Sequence, residues 1–353
     1  MKNKLCCNPL RRPRATSRQG LLLLFWAALL GACAPPALAG DAPQWMHVLV
    51  NAPLPTYDEK TDAVLLYSET NVSVQSADKI KTHVREAYKI LRPEGRHYGS
   101  VFVYVNPHRK VSSLHGWCIP AHGKDFELKD KDAAEVSPPG IPGSELISDV
   151  KAKVLDVPAP DPGNIVGYEY EVQEQPFFLQ GIWYFQDAIP TRESHYSVQL
   201  PAGWEYKASW LNHSQVEPTP AGSNLWQWSV HDVSGIRRES DMPSFKGIQG
   251  QMIISFLPPG GPASNAFADW WQMGNWYLNL TNGRYDASPE IKQQAAALTT
   301  AAQTPLQKMQ MLAYFVQHDI RYVAIELGIG GWQPHPAAEV FAHRYGDCKD
   351  KAP

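Results

Sequence analysis

Cys348 lies in the stretch Tyr345-Gly346-Asp347-Cys348-Lys349-Asp350 and is the residue of this chain best placed for covalent chemistry. A Tyr-Gly turn followed by Asp predicts a helix start with Asp347 as its N-cap. A thiol at that position is favoured as thiolate, the nucleophilic form. Unpaired backbone N–H groups and the positive end of the helix dipole face it. Asp347 and Asp350 oppose the thiolate and Lys349 favours it, so the local charges leave the balance open. The plainer alternative for Cys348 is a buried, inert cysteine.

Other residues able to do chemistry read more simply. His318, His335 and His343 are the histidines nearest in sequence, and each is read as a surface or core residue before a base. A metal site built from His335, His343 and Cys348 has no recognised ligand spacing, so no metal is expected. Gly328-Ile329-Gly330-Gly331 is not a phosphate loop, because no helix opening on Lys and Ser/Thr follows it. No acidic calcium loop is present, and no cofactor is expected. Cys118, between Trp117 and Ile119, reads as a strand core residue. Trp332 fits a substrate-cleft wall or plain packing. Trp270, Trp271 and Trp276 read as core or interdomain packing before a carbohydrate platform.

The elements that must position these residues follow from periodicity. Short alternating runs spaced by Gly/Pro turns fill residues 61–240; Val101–Val105 and Ile165–Val172 are the clearest. They predict a β-sandwich. Residues 40–60 are Pro-rich and read as a lead-in linker, and residues 129–149 as a long connection. From 241 to 303 the composition turns helical. Thr304-Pro305 with Gln307 predicts a capped helix carrying an apolar stripe of Leu306, Met309, Leu312, Ala313, Val316 and Ile320. A strand over 321–326 and a short helix over 337–344 lead to the cysteine. The fold class is therefore α+β: an N-terminal β-sandwich, a helical connection, and an α+β segment from 304 to 353.

The N-terminus is a targeting segment, with Lys2, Lys4, Arg11, Arg12, Arg14 and Arg18 before the apolar run Leu21–Leu30. Two exits stand open. Ala37-Leu38-Ala39 is a signal-peptidase site, giving a 1–39 signal peptide. Leu30-Gly31-Ala32-Cys33 resembles a lipobox, giving a 1–32 leader and a lipidated Cys33 that would attach the protein to a membrane. The chain is expected to be exported to the periplasm or lipid-anchored to the bacterial envelope. Losing residues 1–39 leaves 26 basic against 35 acidic residues, a net −9. That charge argues against nucleic acid as a partner.

Thr61-Asp62-Ala63-Val64, Lys89-Ile90-Leu91 with Pro93-Glu94-Gly95, and Gly167-Tyr168-Glu169-Tyr170 resemble the domain of unknown function family 3857. So do Pro190 with its following strand and Pro201-Ala202-Gly203. Asp319-Ile320-Arg321-Tyr322-Val323, Pro336-Ala337-Ala338-Glu339-Val340 and the Gly346-Asp347-Cys348-Lys349-Asp350 motif resemble the opening of a transglutaminase-like core of the papain-type cysteine superfamily. The resemblance implies that Cys348 is the catalytic nucleophile, with histidine and aspartate partners on later strands. Neither partner follows before Pro353, which is itself ill-suited to a helix interior. The expectation is a core cut after its nucleophile, inactive as 353 residues. The intact parent would be a cysteine-dependent acyl transferase or amide hydrolase on a protein or peptide substrate. The alternative is a non-catalytic envelope protein whose β-domain binds a partner or glycan. Half a core is also expected to leave the edge of strand 321–326 open.

Overall fold

The structure is a computed structural model that describes residues 40–138, 145–260 and 265–352. Residues 1–39, read as a targeting segment and including Cys33, part of the stretch 129–149 and Pro353 lie outside the described residues. The chain is α+β, with a β-rich body ahead of its helices.

Helix α1 (Gln44–His47) is followed by a long hairpin, β1 (Ala63–Ser76) and β2 (Lys79–Ile90). Then come β3 (Ser100–Val105), β4 (Arg109–Ile119), β5 (Phe126–Lys129), β6 (Ala134–Val136), β7 (Glu145–Ser148) and β8 (Lys151–Asp156). Next are β9 (Ile165–Glu174), β10 (Gln180–Tyr184), β11 (Thr191–Gln199), β12 (Glu205–Leu211), β13 (Thr219–Gly222) and β14 (Leu225–Val233). Helix α2 (Phe245–Ile248) precedes β15 (Gln251–Leu257). Three longer helices follow: α3 (Trp270–Thr281), α4 (Pro289–Leu298) and α5 (Pro305–Asp319). The last elements are β16 (Arg321–Glu326), α6 (Ala337–His343), β17 (Tyr345–Gly346) and α7 (Cys348–Lys351).

An 8-stranded sheet of order β13-β14-β11-β1-β2-β9-β4-β5 forms the backbone of the body. Its pairs are antiparallel except β1–β11, which runs parallel from Leu65↔Thr191 to Ser73↔Gln199. Two 3-stranded sheets pack on it. Across β10-β15-β12, Trp183, Met252, Ile254 and Phe256 meet Val72, Tyr196, Val198 and Trp228. Across β3-β8-β6, Val101, Val103 and Leu155 meet Leu114 and Val172. Period-two alternation supplies these faces, and burying them removes water from apolar surface at roughly 25 cal/mol per Å2.

Three stretches differ from the sequence reading, and one of them, residues 129–149, read as a connection, contains β6 and β7. Residues 40–60 do more than connect: Ala42 and Met46 are buried against Val64, Leu66, Ala87 and Trp117. Since Ala63 and Leu65 pack on the opposite side with Tyr88 and Ile90, this end of the sheet is buried on both faces. The stretch read as a helical connection contains β15, the middle strand of its sheet. Its run Met252–Leu257 is apolar except for Ser255 and is buried or half-buried along its length, and a central strand covered on both sides loses the alternation that marks a half-exposed one.

Candidate functional site

Cys348 is the first residue of α7 and is exposed. Asp347 is buried and caps the helix: its Oδ1 accepts from the N–H of Lys349 (3.0 Å) and of Asp350 (3.3 Å). Asp350 answers, its Oδ2 accepting the Asp347 N–H at 3.1 Å, which closes a reciprocal capping box. The Lys349 ammonium pairs with the Asp347 carboxylate, and Lys351 Nζ donates to the Ile320 carbonyl at 2.7 Å. Asp347 thus takes two helix-terminal donors for itself, and the thiol shares that end of the helix with a carboxylate.

The turn is set by the strand and helix on either side. Strand β17 pairs in parallel with β16, Arg321↔Tyr345 and Tyr322↔Gly346. Arg344, in the left-handed region (φ 60°), ends α6 and lays its guanidinium over Phe341 and Phe315 at 4.2 and 5.0 Å. Gly346 is required by crowding: a Cβ there would come within 2.8 Å of Asp350 Cβ and 3.1 Å of Val340.

Two tyrosines lie near the thiol. Tyr322, from β16, lies beside Cys348, and its phenol is raised above the ordinary range by desolvation first and then by the neighbouring thiol. It therefore stays a donor at neutral pH. Tyr277, from α3, is pushed up to about 12 by burial, by its hydrogen bond with Tyr285, and by the charges of Tyr285, Asp347 and Cys348.

Of the three nearby histidines, His335 is the one tied to the turn. Its N–H donates to Asp350 Oδ1 at 2.8 Å, and its Nδ1 lies 3.1 Å from Oδ2, leaving Nε2 as the free ring nitrogen. A cavity of about 100 Å3 lies beside it, lined by His335, Glu339, His343, Tyr345 and Asp350. His318 stacks on Tyr314 at 3.9 Å, and His343 stacks on Tyr345. Asp350 was read only as a charge opposing the thiolate; its link to His335 joins positions fifteen apart, which no local pattern marks. Among the described residues no group of three or more His, Cys, Asp or Glu side chains is arranged to hold a metal ion.

Cys118 lies fully buried in β4, where its Sγ donates to the Ala159 carbonyl at 3.3 Å and burial pushes its thiol up to about 12. Trp332 and Trp276 pack with Phe178. Trp270 and Trp271 do not join that cluster; they are 85% and 76% exposed, contrary to their reading as packed residues. The edge expected to be open on strand 321–326 is also covered. Strand β7 pairs in parallel with Val323–Glu326, Arg321 meets Glu145 at 3.1 Å, and Asp149 Oδ2 accepts the Gly328 N–H at 2.9 Å.

Residues 77–237 match the family described as Domain of Unknown Function with solved-structure structure (DUF3857). No curated protein matches the chain. Among solved structures, a Parabacteroides distasonis ATCC 8503 protein described as a "putative protease" superposes with a TM-score of 0.62 at 15% identity. The match covers 82% of this chain and 57% of that one, so this chain spans little more than half of its length. Yeast LTA4 hydrolase (12% identity, 60% of this chain and 33% of that one) and Legionella pneumophila aminopeptidase A (7%, 69% and 27%) reach TM-scores of only 0.27 and 0.29, too low to carry an argument. The chain therefore carries a DUF3857 domain over residues 77–237, in a fold shared with the P. distasonis protein.

Proposed function

We propose that Cys348 is the nucleophile of a transglutaminase-like cysteine enzyme acting on protein or peptide amides. The observation that carries this reading is the exposed thiol on the first residue of a helix, framed by the Asp347–Asp350 box with His335 hydrogen-bonded to Asp350. The sulfur would attack the amide carbonyl carbon. The C–N bond breaks, the leaving amine takes a proton, and a thioester remains. Water or a second amine then attacks the thioester, releasing an acid or a new amide and restoring the thiol. The fold likeness to a protein described as a "putative protease" agrees with amide chemistry. The proposal includes export, to the periplasm or to the envelope through a lipidated Cys33.

Cys348→Ser is expected to abolish both iodoacetamide labelling of the folded protein at this position and turnover of a peptide amide. Retained turnover in that variant refutes the nucleophile. Cys118 is expected to stay unlabelled in both proteins until denaturant is added, read by mass spectrometry of the labelled peptides.

A second reading, a β-domain that binds rather than reacts, is favoured by one observation. A cleft of about 860 Å3 opens in that domain, away from Cys348.

A further inference from the structure

Ala37-Leu38-Ala39-Gly40 sets small residues where a signal peptidase cuts, and the folded body begins just past them. Ala42 is 5% exposed and Met46 is fully buried, so core packing starts at the third residue after Ala39. Two acidic residues at the start of β5 hold this lead-in. Asp125 Oδ2 accepts the Ala42 N–H at 2.9 Å and lies 3.0 Å from His47 Nε2. Glu127 lies against Gly40. A Cβ on Gly40 would come within 2.4 Å of Glu127 Oε2 and 2.6 Å of Glu127 Cβ, so a side chain there would collide with the base of the glutamate as well as its tip.

The glutamate lacks a donor. Its side chain is 21% exposed, yet no group among the described residues hydrogen-bonds its carboxylate. Lys129 Nζ stands off at 3.4 Å on a side chain that is 53% exposed, where solvent screens the attraction. His115 Nδ1 stands at 3.5 Å and is itself without a hydrogen-bond partner. A largely buried carboxylate calls for donors. The Gly40 nitrogen is about 2.5 Å from the Cβ position by bond geometry, so it lies within about 5 Å of Oε2. As a chain amide it has one N–H and no charge. As an α-ammonium it has three N–H groups and a positive charge, at a range where a carboxylate favours the charged form. The titratable groups around it are Asp41 beside it in the chain, Asp125, Glu127 and Lys129 at β5, His115 on β4 and His47 on α1.

We infer that export processing cuts the Ala39–Gly40 bond and that the new α-ammonium of Gly40 docks on Glu127. Under a signal peptidase, water adds across the amide: Ala39 leaves as a carboxylate, and the Gly40 nitrogen takes up protons to become the ammonium. Of the two exits open in the sequence this selects the first, and Cys33 departs with the leader. The inference rests on the export reading and is independent of the chemistry at Cys348.

The test has two parts. The full chain is expressed with its leader in a Gram-negative host, and the exported protein is read by N-terminal sequencing and intact mass. Gly40-Asp41-Ala42 is expected at the terminus, with no acyl group. The purified product is then compared with the same protein acetylated on its α-amine. Acetylation is expected to lower the melting temperature by about 2 °C at neutral pH, the size of one partly screened ion pair in a chain of this length. Glu127→Gln, which keeps the side chain's shape and removes its charge, should abolish that difference. The ammonium's contribution is complete below the ordinary α-amino value, about 8, and is lost as pH rises through the higher value that a carboxylate gives it in the folded protein. Free and acetylated forms should therefore melt alike at about pH 10. A lipidated Cys33 at the terminus would overturn the inference and leave export standing, whereas an uncut chain kept inside the cell would overturn both. Equal melting of the two forms at neutral pH, or an undiminished difference in Glu127→Gln, would overturn the docking with export untouched.

Discussion

Glu86 shows how a single residue can govern the pH response of the β-domain. Tyr88 and Tyr168 both donate to its Oε2, and Ser68 lies 3.5 Å from Oε1. Although the residue is partly exposed, its carboxyl is desolvated, and burial raises its pKa above 4.5 against the lowering effect of the tyrosine hydroxyls; nearby Asp187 adds to the rise. The folded form therefore holds the Glu86 proton more tightly than the unfolded chain does. Its stabilising contribution is complete below the ordinary carboxylate value and is lost as pH rises from there through the raised folded value. Glu86→Gln, which keeps an acceptor for the tyrosines, is expected to flatten this slope. Relative to the natural chain it should melt higher at pH 7 than it does at pH 4, measured by thermal denaturation across pH. A parallel slope in both proteins would contradict the assignment. At this scale the place of Cys348 at the head of a helix was legible, because Gly-Asp-Cys-Lys-Asp is a local pattern. The anchoring of His335 on Asp350 was not, since it depends on how the loop before α6 meets α7.

Helices and strands divide in the same way between local and tertiary control. Helix α5 begins as its sequence demands: Thr304 Oγ1 accepts the Gln307 N–H at 3.2 Å, and Gln307 Oε1 returns to the Thr304 N–H at 3.2 Å. Its buried face is less obvious. Of the residues read as one apolar stripe, Leu306, Met309 and Ala313 are exposed, while Leu312, Val316 and Ile320 join Phe315 in lining a groove of about 270 Å3 against α4 and α6. Two stripes are compatible with so apolar a helix, and the neighbouring helices select one. Strand β7 was hidden altogether, for its four residues are exposed and its pairing partner lies about 180 residues away. Asp149→Ala removes the acceptor for the Gly328 N–H. It is expected to cost about 0.5–1.5 kcal/mol locally and to speed amide exchange over Val323–Glu326. Unchanged protection there, read by hydrogen exchange, would mean that β7 is held by its backbone pairing alone.

At the scale of the whole molecule, a well-packed sandwich adjoins a sparsely covered helical region. The sandwich buries Trp228, Tyr196, Phe185 and Phe256 almost completely. In the helices, Leu306, Met309 and Tyr314 are 61%, 64% and 63% exposed, beside Trp270 and Trp271. Exposed apolar surface on that scale promotes association. The double change Leu306→Lys and Met309→Lys is expected to lower 8-anilinonaphthalene-1-sulfonate fluorescence and light scattering at high concentration. Because neither side chain is packed, stability should shift by no more than about 0.5 kcal/mol per site. A large loss of stability would place these residues in an interface of the folded chain.

The sequence alone determined what short-range physics controls: the alternating strands of the sandwich, the capped start of α5, and a cysteine after a glycine turn at the head of a helix. Tertiary structure decided what depends on distant partners. It gave β15 a central place in its sheet although its run does not alternate, buried Met46 from a proline-rich lead-in, and covered β16 with a strand from the β-domain. Around Cys348 it added Tyr322 and the His335–Asp350 pair, because hydrogen bonds close over ångströms in space, whatever the separation along the chain.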